Sequence, residues 1–202
     1  FRILTGPSEY FTVVAPTLVQ AGTPFRVQVR GNDKFGNPTP VSASGLTLFA
    51  EQPIARDHLD DLASLRSITT IPLMADESVF TVTDAWHIGA ARAADILSIY
   101  PGKHGGISPT IEIANVAKAA GIVCHMGSNL ELGIATAAML HVAASVPEID
   151  CERYPGDLLG PLYHEADMIC EPLDLGPVVA RVPDGPGLGV DLDMVQVDRW
   201  RE

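Results

Sequence analysis

Positive charge is the scarcest feature of this 202-residue sequence. Its 13 lysines and arginines stand against 25 aspartates and glutamates, which gives a formal net charge of −12. Nucleic-acid surfaces need Lys and Arg to neutralise phosphates, so this deficit argues against a nucleic-acid partner. The lysines are Lys34, Lys103 and Lys118, which leaves few candidates for lysine-based chemistry.

Cysteines and long apolar runs are rare as well. The cysteines Cys124, Cys151 and Cys170 have no short spacing, so they indicate reduced thiols of a cytoplasmic protein rather than disulfides or a zinc site. No apolar run approaches the roughly 18 residues of a membrane-spanning helix, and no signal peptide is recognisable. We therefore expect a cytoplasmic protein without a membrane partner. Because the sequence starts at Phe1 rather than Met, we also expect a fragment or a processed chain.

The first 44 residues have the composition of a β-rich segment. Tyr10–Val14 and Phe25–Arg30 are rich in β-branched and aromatic residues, and the second run alternates apolar with polar side chains. This period of two is typical of half-buried strands. We predict a β-rich domain over residues 1–44 and a second domain over residues 45–202.

From Leu46 onward, apolar strand candidates alternate with segments of helical period. The predicted strands are Leu46–Ala50, Leu73–Asp76, Asp95–Tyr100, Ile122–His125 and Ile149–Glu152, and the predicted helices are Asp57–Ile68, Thr81–Ala91, Ser108–Ala120 and Asn129–Ala144. Such alternation indicates βα units and a parallel sheet, in the α/β class. Without a glycine-rich phosphate loop after the first strand, it favours a partial (β/α)8 TIM barrel over a dinucleotide-binding fold, with an open flavodoxin-like sheet as the alternative. Cys124 and Cys151 lie in these strands and are expected to be small core residues.

Carboxylates follow several of the predicted strands. Glu51 ends the first strand, Asp76 ends the second, and Asp157 follows the last. In parallel α/β folds, the carboxyl ends of the strands share one rim, where functional residues lie. Hard cations such as Mg²⁺ take oxygen ligands of this kind. Each carboxylate alone has a simpler explanation, since Asp76 could cap the next helix, but the ordered set favours a metal site.

Six short motifs, in this order and spacing, resemble the C-terminal part of the barrel of the enolase superfamily, in the mandelate racemase/muconate lactonizing enzyme group. They cover about residues 46–202 and are Phe49–Pro53, Met74–Ser78, Lys103–Gly106, Gly127–Gly133, Gly160–Leu162 and Pro186–Val190. Each motif is weak alone, and their common order is what indicates shared descent.

The resemblance implies an enzyme that binds a small carboxylic acid through Mg²⁺ or Mn²⁺, removes the proton α to the carboxylate and stabilises an enediolate on the metal. It places the metal ligands of barrel strands four and five on Glu51 and Asp76. The acid/base position of strand six falls on Tyr100. Asp157 falls near the carboxylate of strand eight, and Glu131 matches a glutamate near the substrate in lactonizing members.

Two positions depart from the family pattern. Tyr100 stands where members have Lys or Asp, and a side chain with a pKa of about 10 is a poor base at neutral pH. Lys103 is the first alternative for proton transfer, and His104 and His125 are further candidates. Gly127 stands where racemase-type members have a catalytic His, so that residue is missing.

The resemblance also leaves parts of the family's site without a counterpart. Barrel strands one to three, with the third metal ligand and a lysine pair, are absent from residues 46–202, and so is the capping domain. Residues 16–38 instead resemble an immunoglobulin-like β-sandwich module. We therefore expect the chain alone to be an incomplete, inactive part of an isomerase or lyase, with isomerisation, epimerisation and dehydration all open.

Two other functions follow from the same residues. The chain could be a non-catalytic α/β fragment or binding module, whose open barrel edges would invite pairing and make a homo-oligomer possible. A zinc hydrolase using His104, His125 and His164 is a third hypothesis, which no metal-ligand spacing supports.

Overall fold

A computed structural model of the chain describes residues 10–14, 28–32, 38–39, 49–176 and 179–201. The chain divides into two units, Phe1–Leu46 and Thr47–Glu202. The boundary predicted between residues 44 and 45 lies outside the described residues, so the assignment of the two domains stays a prediction.

The described part of the first unit is an antiparallel sheet with the strand order β1-β2-β3. Strand β1 is Tyr10–Val14, β2 is Gln28–Asn32 and β3 is Pro38–Thr39. Strand β1 lies where the residue pattern predicts it, whereas residues 25–27 of the second predicted strand lie outside the described residues. The resemblance to an immunoglobulin-like module stays a prediction.

The second unit contains a parallel sheet whose described strands are neighbours in chain order, β4-β5-β6-β7. The strands are β4 Ala50–Glu51, β5 Leu73–Ala75, β6 Ile96–Ile99 and β7 Val123–Met126. The helices that follow them are α1 Leu59–Ile68, α2 Val82–Ala91, α4 Ile107–Ala120 and α5 Gly133–Ser145, with the short helix α3 Pro101–His104 before α4. The predicted parallel α/β arrangement is confirmed.

The parallel sheet is buried on both faces. One face packs against the helices and carries Leu73, Ala75, Leu97, Ile99, Cys124 and Met126. The opposite face carries Met74 and Ile96, which are covered by Tyr154 and Phe49. Side chains alternate between faces along a strand, so strands buried on both sides appear in the sequence as continuous apolar runs.

Two of the helices have clear physical reasons for their ends. The side chain of Thr81 accepts from the Asp84 amide while the Asp84 carboxylate accepts from the Thr81 amide, a capping box that starts α2. Helix α4 ends at Gly121, whose φ of 71° is a left-handed conformation that glycine adopts without strain.

Helix α5 begins four residues later than the predicted start at Asn129, at Gly133. The Asn129 amide donates to the Glu131 carboxylate at 2.8 Å, and Leu130 has a left-handed φ of 61°. These local contacts hold residues 127–132 as a loop, and side-chain bonds to nearby amides compete with helix formation in this way.

The strand predicted at Ile149–Glu152 was wrong. Ile149 forms only an isolated parallel bridge to Cys124, and the Asp150 carboxylate accepts from the Arg153 amide at 2.9 Å, which folds the chain into a turn. Cys124 is buried as expected, but Cys151 lies in the turn and is exposed, so its prediction as a core residue was also wrong.

The C-terminal part of the second unit is mostly irregular. It contains a 3-10 helix at Gly160–Tyr163 and a short helix α6 at Met194–Arg199, which Asp193 caps. Within the described residues, no helix is both long and apolar enough to cross a membrane.

Candidate functional site

The carboxyl ends of β4 to β7 bring the predicted site residues to one edge of the sheet. Glu51 is the last residue of β4, while Asp76, Tyr100 and Gly127 directly follow β5, β6 and β7. Partial burial and the negative charges of Asp76, Glu77 and Asp157 raise the pKa of Glu51. Acidic groups therefore converge on this edge, as the strand-end rule predicts.

Lys103 is bound directly to Asp76. Its ammonium group contacts the Asp76 carboxylate and donates to the carbonyl oxygens of Asp76, at 3.1 Å, and Ser98, at 2.7 Å. An ammonium has three N–H donors, and all three are used here. The Lys103 side chain is 3% exposed, and this burial lowers the pKa of Lys103.

Gln52 joins the end of β4, where Glu51 lies, to the loop that carries Asp76. Its side-chain oxygen accepts from the amides of Asp76 at 2.8 Å and Ser78 at 3.1 Å. Its side-chain nitrogen donates to the carbonyl of Ile54 and the hydroxyl of Ser78, both at 2.7 Å. Sequence reasoning missed this residue, and the only available signal was its place directly after Glu51.

Tyr100 is a hydrogen-bond donor in this site. Its hydroxyl donates to the side-chain oxygen of Asn129 at 3.0 Å. Burial and the negative charges of Asp76 and Glu131 raise the pKa of Tyr100 well above its ordinary value. The phenol is therefore protonated at neutral pH, which suits a proton donor rather than a base.

Glu131 lies in the loop after β7, and one of its oxygens has no hydrogen-bond partner in the part of the chain that the structure describes. Oε2 accepts from the Asn129 amide, whereas Oε1 is buried and makes no hydrogen bond within the described residues. A Cβ atom built on Gly102 would lie 2.7 Å from this Oε1. Asn129 thus connects Tyr100 with Glu131, and it was not among the predicted site residues.

Asp157 lies at the same edge of the sheet. Its amide donates to the Met126 carbonyl at 2.9 Å, which places the residue beside the end of β7. Its negative charge contributes to the raised pKa of Glu51 and opposes the lowering of the pKa of His125.

The histidines that were considered for proton transfer or zinc binding do not converge. Burial lowers the pKa of His104 to about 4, and its Nδ1 bonds the Phe80 carbonyl at 2.8 Å. Burial also lowers the pKa of His125, whose Nε2 bonds the Pro155 carbonyl at 3.1 Å. His164 is exposed and bonds the Leu130 carbonyl. No three His, Cys, Asp or Glu side chains among the described residues form a metal-binding group.

Glu51 and Asp76 fit a hard divalent cation as two of its ligands. They place two carboxylates on adjacent strand ends, and Mg²⁺ is commonly held in proteins by one or two carboxylates together with water or substrate. Lys103 uses Oδ1 of Asp76, and within the described part of the chain no hydrogen bond reaches Oδ2. One oxygen of Asp76 therefore remains for a cation.

Buried His104 gives the fold a testable pH dependence. Its pKa is about 4 in the folded chain and about 6.5 when exposed, so the unfolded chain binds more protons between these values. Its contribution is complete above about pH 6.5 and is lost as the pH falls to 4. We expect the unaltered chain to lose about 3 kcal/mol more than His104→Asn over this interval in urea unfolding.

His104→Asn is a matched variant because its side-chain amide can still donate to the Phe80 carbonyl but cannot titrate in this range. Both chains contain the same carboxylates, whose titration cancels in the comparison. Equal pH dependence in the two proteins would show that His104 is not held neutral by the fold.

Comparisons with known proteins identify relatives that match most of this chain. The family model described as "Enolase C-terminal domain-like" matches residues 43–196. Muconate cycloisomerase 1 of Rhodococcus opacus is 39% identical over 161 residues, which are 80% of this chain and 42% of that protein. Chloromuconate cycloisomerase of Cupriavidus pinatubonensis is 34% identical over 180 residues, 86% of this chain and 47% of that protein.

Solved structures agree with these matches. The 2-chloromuconate cycloisomerase from Rhodococcus opacus 1CP has a TM-score of 0.72 at 36% identity and covers 79% of this chain and 42% of its own. The N-succinyl Arg/Lys racemase from Bacillus cereus has a TM-score of 0.68 at 34% identity, covering 75% and 39%. The chain spans less than half the length of these relatives, and the segment matched by the family model contains every predicted site residue.

Proposed function

The chain belongs to the enolase C-terminal domain-like family, and from this membership we propose that it carries part of the active site of a metal-dependent enzyme acting on a small carboxylic acid. This family membership confirms two predictions from the sequence, the resemblance to the enolase superfamily and the partial (β/α)8 barrel. The muconate cycloisomerase relatives support an isomerase. A cytoplasmic location and self-association stay predictions.

The observation that carries this proposal is the placement of Glu51 and Asp76. They lie on adjacent strand ends, the pKa of Glu51 is raised in part by Asp76, and one oxygen of Asp76 is left without a partner in the described residues. In the proposed enzyme, Glu51 and Asp76 would hold Mg²⁺ or Mn²⁺. When bound, such an ion supplies Lewis-acid stabilisation of negative charge on the substrate carboxylate.

The other residues of the site fit supporting roles. Lys103 keeps its proton because three oxygens accept from its ammonium, and it fixes one side of Asp76. Tyr100 keeps its proton and can donate it, or a hydrogen bond, to a substrate beside Asn129. The buried Oε1 of Glu131, which has no partner within the described residues, can accept a hydrogen bond from a protonated neighbour. Asp157 adds negative charge beside Glu51.

Neither Tyr100 nor Lys103 is arranged as the base that removes the α-proton. Tyr100 has a raised pKa, and the donors of Lys103 are engaged with Asp76 and Ser98. We propose that the base belongs to a part of the whole enzyme that this chain does not contain. The chain alone should accordingly show no turnover of carboxylic acids, and measurable turnover would overturn this part of the proposal.

The cation site is tested by Mn²⁺ binding to the purified chain, measured by calorimetry and by the electron paramagnetic resonance of free Mn²⁺. We expect measurable binding that Glu51→Gln and Asp76→Asn each weaken at least tenfold, because each removes one of two carboxylate ligands. Glu112→Gln is the control, since it removes an exposed carboxylate on α4 and should leave binding unchanged.

Absence of Mn²⁺ binding, or equal binding in all variants, would contradict the proposal. The better interpretation would then be that the chain is a non-catalytic fragment, whose strand-end carboxylates reflect common descent but bind no cation. Far-ultraviolet circular dichroism of each variant separates lost binding from lost folding.

A further inference from the structure

Gln52 connects two parts of the sheet edge that are far apart in the sequence. It directly follows Glu51, and its backbone amide donates to the Met74 carbonyl of β5 at 2.9 Å. Its side chain contacts the loop after β5, which carries Asp76 and Ser78. The two proposed ligands are thereby linked through one residue.

The side chain of Gln52 is fully used by these contacts. A primary amide offers two acceptor positions on oxygen and two N–H donors. The oxygen accepts from Asp76 and Ser78, and the nitrogen donates to Ile54 and Ser78. No shorter side chain or apolar isostere reproduces this pattern, which argues that the amide has a specific purpose here.

The backbone of Gln52 is also unusual. Its φ of 38° lies in the left-handed region, which costs free energy for any residue with a Cβ. Such a conformation persists where surrounding contacts fix it, and it often occurs at functional sites. Here the amide contacts of the side chain and the bond to Met74 fix it.

Asp76 is consequently held from two sides. Gln52 binds its backbone amide, while Lys103 binds its carbonyl oxygen and Oδ1. These contacts leave little rotational freedom to the carboxylate, and ligands bind a cation best when their positions are fixed in advance.

We propose that Gln52 is a positioning residue that fixes the separation and orientation of the Glu51 and Asp76 carboxylates for a divalent cation. This inference rests on the proposed function, because it requires that the two carboxylates bind a cation. Gln52 acts through its neighbours and does not itself contact the cation.

The test measures Mn²⁺ affinity and thermal stability of the full chain in three variants. Gln52→Met keeps the length of the side chain but removes its four side-chain hydrogen bonds, and Gln52→Gly removes both these bonds and the backbone strain. We expect both to weaken Mn²⁺ binding at least tenfold. If Gln52 acted only through its left-handed backbone, Gln52→Gly would retain the Mn²⁺ affinity of the unaltered chain, because glycine adopts this conformation without strain.

Arg66→Met is the matched control. Arg66 pairs with Asp95 at 2.7 Å, before the start of β6 and so at the opposite end of the sheet. Arg66→Met should lower the thermal midpoint and leave the Mn²⁺ affinity within twofold. If Gln52 had only a structural role, Gln52→Met would give this same result.

The outcomes separate the two proposals. Mn²⁺ binding that is lost in Glu51→Gln but unchanged in both Gln52 variants would overturn the role of Gln52 and leave the proposed function intact. Failure of the unaltered chain to bind Mn²⁺ would overturn the proposed function, and the role of Gln52 with it.

Discussion

Lys103→Met should destabilise the chain by about 3 kcal/mol or more, because it breaks a buried ion pair from one side. The side chain of Lys103 is 3% exposed and that of Asp76 is 20% exposed. Removing the ammonium leaves the Asp76 carboxylate without its counter-charge and takes one donor from each of the carbonyl oxygens of Asp76 and Ser98. Urea unfolding, followed by circular dichroism near neutral pH, measures the loss.

The partner variant completes a double-mutant cycle. Asp76→Asn leaves a buried ammonium beside a neutral amide, which should also be destabilising. In Lys103→Met with Asp76→Asn, neither charge remains uncompensated, so the combined loss should be smaller than the sum by about 1 to 3 kcal/mol. Strictly additive losses would show that the two groups do not stabilise each other.

Lys118→Met provides the comparison for an exposed pair. Lys118 contacts Glu148 at 2.6 Å, but its side chain is 66% exposed. Exposed pairs of this kind contribute little to stability because water screens them, so Lys118→Met should cost much less than Lys103→Met. A loss as large as that of Lys103→Met would mean that removal of any lysine, and not the buried pair, causes the effect.

The sequence predicted best those elements that depend on local residue type and not on distant contacts. Buried strands such as Leu73–Ala75 and Ile96–Ile99 are short and mainly apolar, with Ser98 as the one polar residue of the second, so their type and order were predictable. Helix α4 ends at a glycine, as predicted, because Gly121 takes a conformation that other residues avoid. The strand predicted at Ile149–Glu152 failed because the Asp150 carboxylate accepts from the Arg153 amide, and side-chain bonds of this kind favour a turn.

For the site, the sequence predicted which residues lie at the strand ends but not which contacts they make. The rule that carboxyl ends of parallel strands share an edge places Glu51, Asp76 and Tyr100 together. It does not predict that Lys103 binds Asp76 or that Gln52 binds the amides after β5, because these contacts join residues more than twenty positions apart through specific rotamers. Asn129 was missed for the same reason.

Gly127 lies at a position of the strand end that leaves little space for a side chain. Its backbone is not in the left-handed region, so a side chain there meets only steric obstacles. A Cβ atom would lie 2.2 Å from the Ser98 hydroxyl and 3.0 Å from the Tyr100 ring. We expect Gly127→Ala to cost about 2 kcal/mol, within the range for overpacked cores, and Gly127→His to prevent folding of this edge.

The pair Gly127→Ala with Ser98→Ala tests this cause. Removing the Ser98 hydroxyl removes the closest obstacle, so the double variant should recover about half of the loss in urea unfolding, with the Tyr100 contact remaining. Gly121→Ala is the control: its φ of 71° makes alanine strained, but no atom lies within 4 Å of the added carbon, so Ser98→Ala should not rescue it. No recovery at Gly127 would refute the steric explanation. Recovery would mean that this strand end has no room for the histidine that the racemase-type pattern places at this position.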